Sequence, residues 1–184
     1  MNYDPTGVRL TRSSTLLVPV TQADYEWGIP RAEEIGVLNN SIRDGKGTLA
    51  GMIGEGCTLK SVPDTISCNT FQHDIMWKGK RIEVKTKDRT VSCGHDYEAS
   101  VAAYNTRQET DYYLFTSLVR DKMTGIYTVC YIMGYIEKEA YYEQARFLRE
   151  GDWDYRNNYT VQADCYNLEY SKLKKFDFLE DLYG

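Results

Sequence analysis

Apolar and polar positions follow the clearest pattern between Phe71 and Lys87. Arg81-Ile82-Glu83-Val84-Lys85-Thr86-Lys87 alternates with period two, as a strand with one face in a core does. The run from Phe71 to Trp77 is strand-like as well, and Lys78-Gly79 between the two marks a hairpin. Glu83 and Lys85 then share a face, while Ile82 and Val84 point into packed protein. A two-residue loop at Lys78-Gly79 faces Trp77 with Lys80 and sets Asp74 opposite Glu83 on the same side of the sheet. A three-residue loop sends Asp74 to the other side. The shorter loop is expected, with the glycine supplying positive φ and a bulge.

Elsewhere the pattern predicts a strand over 16–20, a helix within 25–42 starting near Pro30, a favoured first-turn residue, and a Gly-rich helix over 47–57. Strands are expected over 98–104, 112–119 and 127–135, with a helical turn at 106–110 and a turn at 121–125. Residues 137–149 read as an amphipathic helix with Tyr141, Ala145 and Leu148 on one stripe. A short strand over 157–165 and a terminal helix over 171–182 complete the reading. Helices and strands alternating around a central hairpin predict an α/β (α+β) fold, a central mixed β-sheet flanked by helices. A chain of 184 residues suits a single domain, with 1–25 left open as an N-terminal arm.

The chemistry lies on the hairpin. A phosphodiester is anionic and resists attack, so its hydrolysis needs charge neutralised at the phosphate and an activated water. Mg²⁺ is held by a few carboxylate oxygens and keeps several waters, one of which becomes the nucleophile. Asp74 and Glu83 supply carboxylates, the Val84 carbonyl lies between the charged side chains, and Lys85 orients or deprotonates the water. Two acids sharing a small site repel each other unless a cation relieves them, so the motif predicts Mg²⁺ or Mn²⁺ dependence. A solvated hairpin whose Asp, Glu and Lys make weak surface pairs is the competing reading.

With Ile75 after the aspartate and an apolar residue between Glu83 and Lys85, these residues resemble the PD-(D/E)XK nuclease superfamily, the restriction-endonuclease-like fold. The usual proline before the aspartate is replaced by His73. The resemblance implies a glutamate on an upstream helix: Glu55 in Gly51-Met52-Ile53-Gly54-Glu55 is the first candidate, with Glu33 and Glu34 as competitors. Gly47, Ala50, Gly51 and Gly54 would let such a helix approach the sheet closely. It also implies a polar residue, Gln108, reaching the site from the helix after the Glu-x-Lys strand, and products with a 5′-phosphate. More broadly, about residues 30 to 170 resemble a small group of phage-encoded nucleases, which would act in the host cytoplasm.

Charge and composition adjust this picture. The net charge of −5 is awkward for a nucleic-acid enzyme, but Lys78, Lys80, Arg81, Lys85, Lys87 and Arg89 cluster around the motif. Lys78, Lys87 and Arg89 are the candidates for tracking a backbone, on DNA first and with RNA open. Acidic residues gather at 137–150 and 177–181 instead. Five cysteines without a C-x-x-C pair point to reduced thiols and a cytoplasmic location. Cys93, His95, Cys68 and His73 match no familiar zinc spacing. Most of the sixteen tyrosines, including Tyr112, Tyr113, Tyr127 and Tyr131, fall within apolar strands and read as core or interface rather than base-stacking platforms. No apolar run approaches a membrane span.

The expectation is a metal-dependent DNA nuclease, endonucleolytic and of low sequence specificity, since no helix-turn-helix is visible. A homodimer would suit cleavage of both strands. The alternatives are a junction resolvase or RNA nuclease of the same fold, a non-catalytic nucleic-acid-binding protein, and a host-factor interaction protein.

Overall fold

Hydrophobic alternation runs through a seven-stranded sheet in the computed structural model, which describes residues 7–36, 46–68, 70 and 72–176. In chain order the elements are β1 (Arg9–Leu10), β2 (Leu16–Pro19), α1 (Gln22–Ile35), α2 (Lys46–Ser61), β3 (Thr65–Ser67), β4 (Ile75–Trp77), β5 (Lys80–Arg89) and β6 (Glu98–Ala102). They continue with β7 (Tyr112–Arg120), β8 (Tyr127–Glu137), α3 (Lys138–Gln144), β9 (Arg146–Leu148), β10 (Trp153–Asp154), β11 (Tyr159–Thr160) and β12 (Cys165–Glu169). Single 3₁₀ turns occupy Ala103–Arg107 and Tyr170–Lys172. The main sheet has the order β1-β2-β8-β7-β5-β4-β3, a smaller one runs β6-β12-β9, and β10 and β11 form a two-stranded ribbon. All pairs in the main sheet are antiparallel except β5 with β7. The fold is therefore α+β around a mixed sheet.

Parity along β7 separates two cores. Leu114 and Leu118 face α1 and α2 and pack with Ile53, Cys57, Ile82, Val84 and Ile132. Tyr113 and Phe115 face the smaller sheet and α3, packing with Ala99, Val101, Met133, Tyr141 and Leu168. The strand tyrosines behave as the alternation implies: Tyr113 and Tyr127 are buried, and Tyr112 and Tyr131 pack against the two cores. β2 is a full member of the sheet, with Leu16 and Val18 in the core.

Glycine sets how closely α2 lies on the sheet. A Cβ at Gly54 would stand 2.1 Å from Thr86 Oγ1 and 2.8 Å from Thr116 Oγ1, so only hydrogen fits there. Gly47 and Gly51 face open space and play no such part. Against α1, a Cβ at Gly56 would stand 3.0 Å from the Trp27 ring.

Several expected elements are corrected. α1 begins at Gln22, because the Asp24 carboxylate accepts from the Thr21 N–H at 2.7 Å and its hydroxyl at 2.9 Å. Pro30 sits inside the helix and not in its first turn, at the cost of one backbone hydrogen bond. The strand expected from Phe71 contracts to Ile75–Trp77, and Phe71 itself lies outside the described residues. The strand at 98–104 ends at Ala102, and the helical turn expected at 106–110 begins earlier, at Ala103.

The helix expected over 137–149 stops at Gln144, and residues 146–148 pair with β12 as a strand. Arg146 is drawn out of the helix by two buried acids, Glu98 and Asp154. The strand expected over 157–165 divides between β11 and β12. Among the described residues after 169, helix is limited to a 3₁₀ turn, since Lys174 exchanges backbone hydrogen bonds with Tyr135 at 2.8 and 3.0 Å. Residues 177–184, with their acidic cluster and the rest of the expected helix, lie outside the described residues.

Candidate active site

Local backbone chemistry places the hairpin residues. Lys78 and Gly79 both adopt positive φ, 48° and 76°, as a two-residue type I′ turn requires. Trp77 consequently pairs with Lys80, Met76 with Arg81 and Ile75 with Ile82. The turn needs no bulge, contrary to expectation. Continuing the register by one residue sets Asp74 opposite Glu83, and the Asp74 N–H donates to the Ile82 carbonyl at 3.0 Å. There the β4 ladder ends. The next donor on β5, the Val84 N–H, is taken by the Asp74 carboxylate at 2.8 Å. Asp74 thus ends one strand and is fixed against its neighbour by the same side chain.

Glu83 and Lys85 project together from β5, with Val84 turned into the helix-side core. Lys85 Nζ donates to Glu83 Oε1 at 2.7 Å, and both groups engage Gln108. Gln108 Nε2 donates to Glu83 Oε1 at 2.8 Å, and its Oε1 accepts from Lys85 at 3.2 Å. Gln108 lies immediately after the 3₁₀ turn. It is held there by its own N–H to the Asn105 carbonyl and by Lys138, whose ammonium donates to the Gln108 carbonyl at 2.6 Å. The acid, base and amide form a closed triangle of hydrogen bonds in a partly buried setting, where such bonds hold geometry well.

Glu55 arrives on α2 and is only 5% exposed. Ser67 on β3 donates to its Oε1 at 3.4 Å. Burial pushes the Glu55 carboxyl up to about 7; Ser67 and Arg31 pull it down, and Glu83 adds to the rise. Asp74 is raised well above the ordinary carboxylate range, first by burial and then by the charges of Glu83 and Glu55, against which Val84 and Lys85 act. Asp74 therefore feels both other acids. Glu33 and Glu34 are exposed on α1, so Glu55 is the glutamate that α2 brings to this cluster. Arg31 and Ser67 escaped the sequence reading, because their relation to Glu55 exists only once α1 and β3 have packed beside α2.

The proposed basic rim separates into three parts. Lys78 and Lys80 are exposed at the hairpin tip, with Lys78 over the Trp77 ring. Arg81 is committed to Asp111 through hydrogen bonds of 2.9 and 3.2 Å, which hold the Asp111 carboxyl at about 2. Lys87 and Arg89 continue the Glu83–Lys85 face along β5 toward the smaller sheet, where Lys87 donates to Ser100 Oγ at 3.1 Å.

The donor set suits a hard divalent cation: three carboxylates lie near enough to feel one another's charge, with Lys85 as the sole ammonium bonded to any of them among the described residues. As they stand, no three acidic, histidine or cysteine side chains among the described residues converge closely enough to hold an ion. Glu83 Oε1 is already bonded to Lys85 and Gln108, and Asp74 Oδ2 to the Val84 amide. No family model matches this chain, and no curated protein is significantly similar to it. No helix among the described residues is long and apolar enough to cross a membrane.

Proposed function

We propose that the chain is a metal-dependent nuclease of the PD-(D/E)XK type that hydrolyses DNA phosphodiester bonds, as an endonuclease of low sequence specificity in the cytoplasm. One observation carries the reading. Asp74 and Glu83 stand opposite each other at the point where β4 ends, with Lys85 bonded to Glu83 and Gln108 bridging both. A solvated surface hairpin would have no use for burying Glu83 to 7% exposure and Glu55 to 5% beside a third acid.

In this reading Asp74 and Glu83, with Glu55 and the Val84 carbonyl, hold Mg²⁺ or Mn²⁺. Bound there, the ion supplies charge neutralisation at the phosphate and a more acidic water. Lys85 donates to the attacking water or to the scissile phosphate and sets their orientation. Gln108 keeps Glu83 and Lys85 in register and limits how far the lysine ammonium can swing. Lys138 acts at one remove, as a positioning residue for Gln108.

The test is cleavage of supercoiled plasmid, single-stranded DNA and RNA with Mg²⁺, with Mn²⁺ and with EDTA. The expected outcome is cleavage with either metal and none in EDTA. Lys85→Ala should lower the rate by about 10²- to 10⁴-fold, the usual scale for a proton-handling side chain. Unchanged cleavage by Lys85→Ala would refute the assignment of roles. Cleavage confined to RNA would replace DNA as the substrate.

A further inference from the structure

The charged face of β5 extends past Lys85. Side chains two apart on a strand are about 6.6 Å apart, close to the stride from one phosphate to the next along an extended nucleic-acid strand. Lys85, Lys87 and Arg89 are spaced in this way, and the last two enter a cavity of about 360 Å³. Ser100, Asn157, Tyr159 and Asn167 also line it, contributed by β6, the β10–β11 ribbon and β12.

The lining is chemically divided. At the β5 wall stand the Lys87 ammonium and the Arg89 guanidinium, whose Nε is buried without a hydrogen-bond partner among the described residues. Arg89 is fixed by stacking 4.7 Å over the Tyr97 ring and by an Nη2 bond to the Glu98 carbonyl at 3.4 Å. The acid in this wall, Glu98, is bonded by Arg146 at 2.9 Å, which it shares with Asp154, and lies 3.5 Å from Arg156, whose closer partner is Glu169 at 2.7 Å. Across from the two β5 cations are a tyrosine ring and two carboxamides. Tyr159 is 36% exposed, and Tyr155, in the turn of the same ribbon, is 88% exposed.

Building on the nuclease reading, we propose that this cavity is a nucleotide subsite. It takes one unpaired nucleotide of the substrate strand, with the phosphate on Lys87 and Arg89 and the base against Tyr159. A volume of this size is enough to hold a single nucleotide. The preferred substrate is therefore single-stranded or locally unpaired nucleic acid, bound through its backbone by the β5 cations and through stacking at the ribbon.

The experiment measures binding without cleavage. In EDTA, a dye-labelled oligothymidylate is titrated by fluorescence anisotropy against a duplex of the same length, and thymidine 5′-monophosphate and inorganic phosphate are used as competitors. The single strand should bind at least tenfold more tightly than the duplex, and the monophosphate should compete better than phosphate. Lys87→Ala and Tyr159→Ala should each weaken single-strand binding about tenfold. Lys87→Arg should retain it, and Lys122→Ala, at an exposed turn, should match the wild type. Because Tyr159 is 36% exposed and pairs with Asp154 in the ribbon, the melting temperature of each variant is measured beside its affinity, and Tyr159→Phe, which keeps the ring, should retain binding.

Equal affinity for the duplex, equal competition by phosphate, or full binding by both Lys87→Ala and Tyr159→Ala would overturn the proposal. The two readings fail separately. Binding that depends on Lys87 in a protein that cleaves nothing keeps the subsite and removes the nuclease, whereas metal-dependent cleavage with unaltered binding by the variants does the reverse.

Discussion

The protein buries two acidic clusters, and they are treated in opposite ways. Glu98 and Asp154 are 5% and 1% exposed, and each carboxylate is met by Arg146 and the Asn157 amide, Glu98 also by Arg156. Burial works against the Asp154 carboxylate, yet bonds from Asn157, the Arg156 amide and Arg146 outweigh it and hold its pKa below the ordinary range. Glu55, Asp74 and Glu83 have one ammonium, Lys85, bonded to the set, and two of them are raised. Acids matched by arginines join β6, β9 and the ribbon. Acids left short of positive charge are a standing demand for a cation. The difference separates a structural clasp from the cluster proposed here as an active site, although both are clusters of buried carboxylates.

Three measurements would break or sharpen that contrast. The largest effect is expected at the clasp. Arg146→Ala strands Glu98 and Asp154 and should cost about 3–5 kcal/mol of stability in urea unfolding, whereas Asp74→Asn in EDTA should leave stability unchanged or raise it. Similar losses in both variants would mean that the site cluster is a clasp too.

Next is the pH dependence of the metal-free protein. Glu55 keeps its proton up to about pH 7 in the fold but only to the ordinary glutamate value of 4.5 when unfolded. The folded state therefore binds more protons between these values, and this stability contribution is full below about 4.5 and lost as pH rises through about 7. From pH 5 to pH 8 the decline should be on the order of 2–3 kcal/mol. Glu55→Gln should flatten it, and Mn²⁺ should raise the melting temperature more at pH 8 than at pH 5. A slope identical in Glu55→Gln would show that the carboxylate carries no such penalty.

The smallest effect is expected from Gln108→Ala, which removes the bridge but no charge. A tenfold lower cleavage rate with an unchanged melting temperature is the expected pattern, equivalent to about 1.4 kcal/mol. A loss matching Lys85→Ala would instead make Gln108 a participant in the chemistry.

What the sequence makes legible follows from how local the cause is. The register that aligns Asp74 with Glu83 depends on two residues in positive φ, and alternation over residues 81–87 sorts Glu83 and Lys85 from Val84. Gly54 announced a close helix approach by composition alone, whereas Gly47 and Gly51 look the same in sequence and face open space. The start of α1 was misread because Pro30 is a strong local signal, while the Thr21–Asp24 capping interaction that sets it is quieter. Residues 145–149 carry a helical period that loses to long-range demands: strand pairing with 165–167 and the pull of Glu98 on Arg146. The cavity beside Lys87 and Arg89 is out of reach for the same reason, since its lining spans Lys87 to Asn167 and is assembled by β12 pairing with β6.

Parallel pairing of β5 with β7 has one more consequence. A parallel neighbour must begin at the same end of the sheet, so the chain leaving β5 at Arg89 has to travel back before β7 opens with Tyr112 beside Ile82. Gln108 lies on the last steps of that return, so topology brings it back to the Glu83 end of the strand, where the Asn105 and Lys138 bonds hold it. The middle of the connection, before Asn105, is left latitude by that pairing in its length and in its own partners. In this chain the latitude is occupied by β6, the strand on which the smaller sheet and its cavity are built. One strand, β5, thus serves two places at once: Glu83 and Lys85 stand in the acidic cluster, Lys87 and Arg89 in the cavity whose other walls this connection, the ribbon and β12 supply.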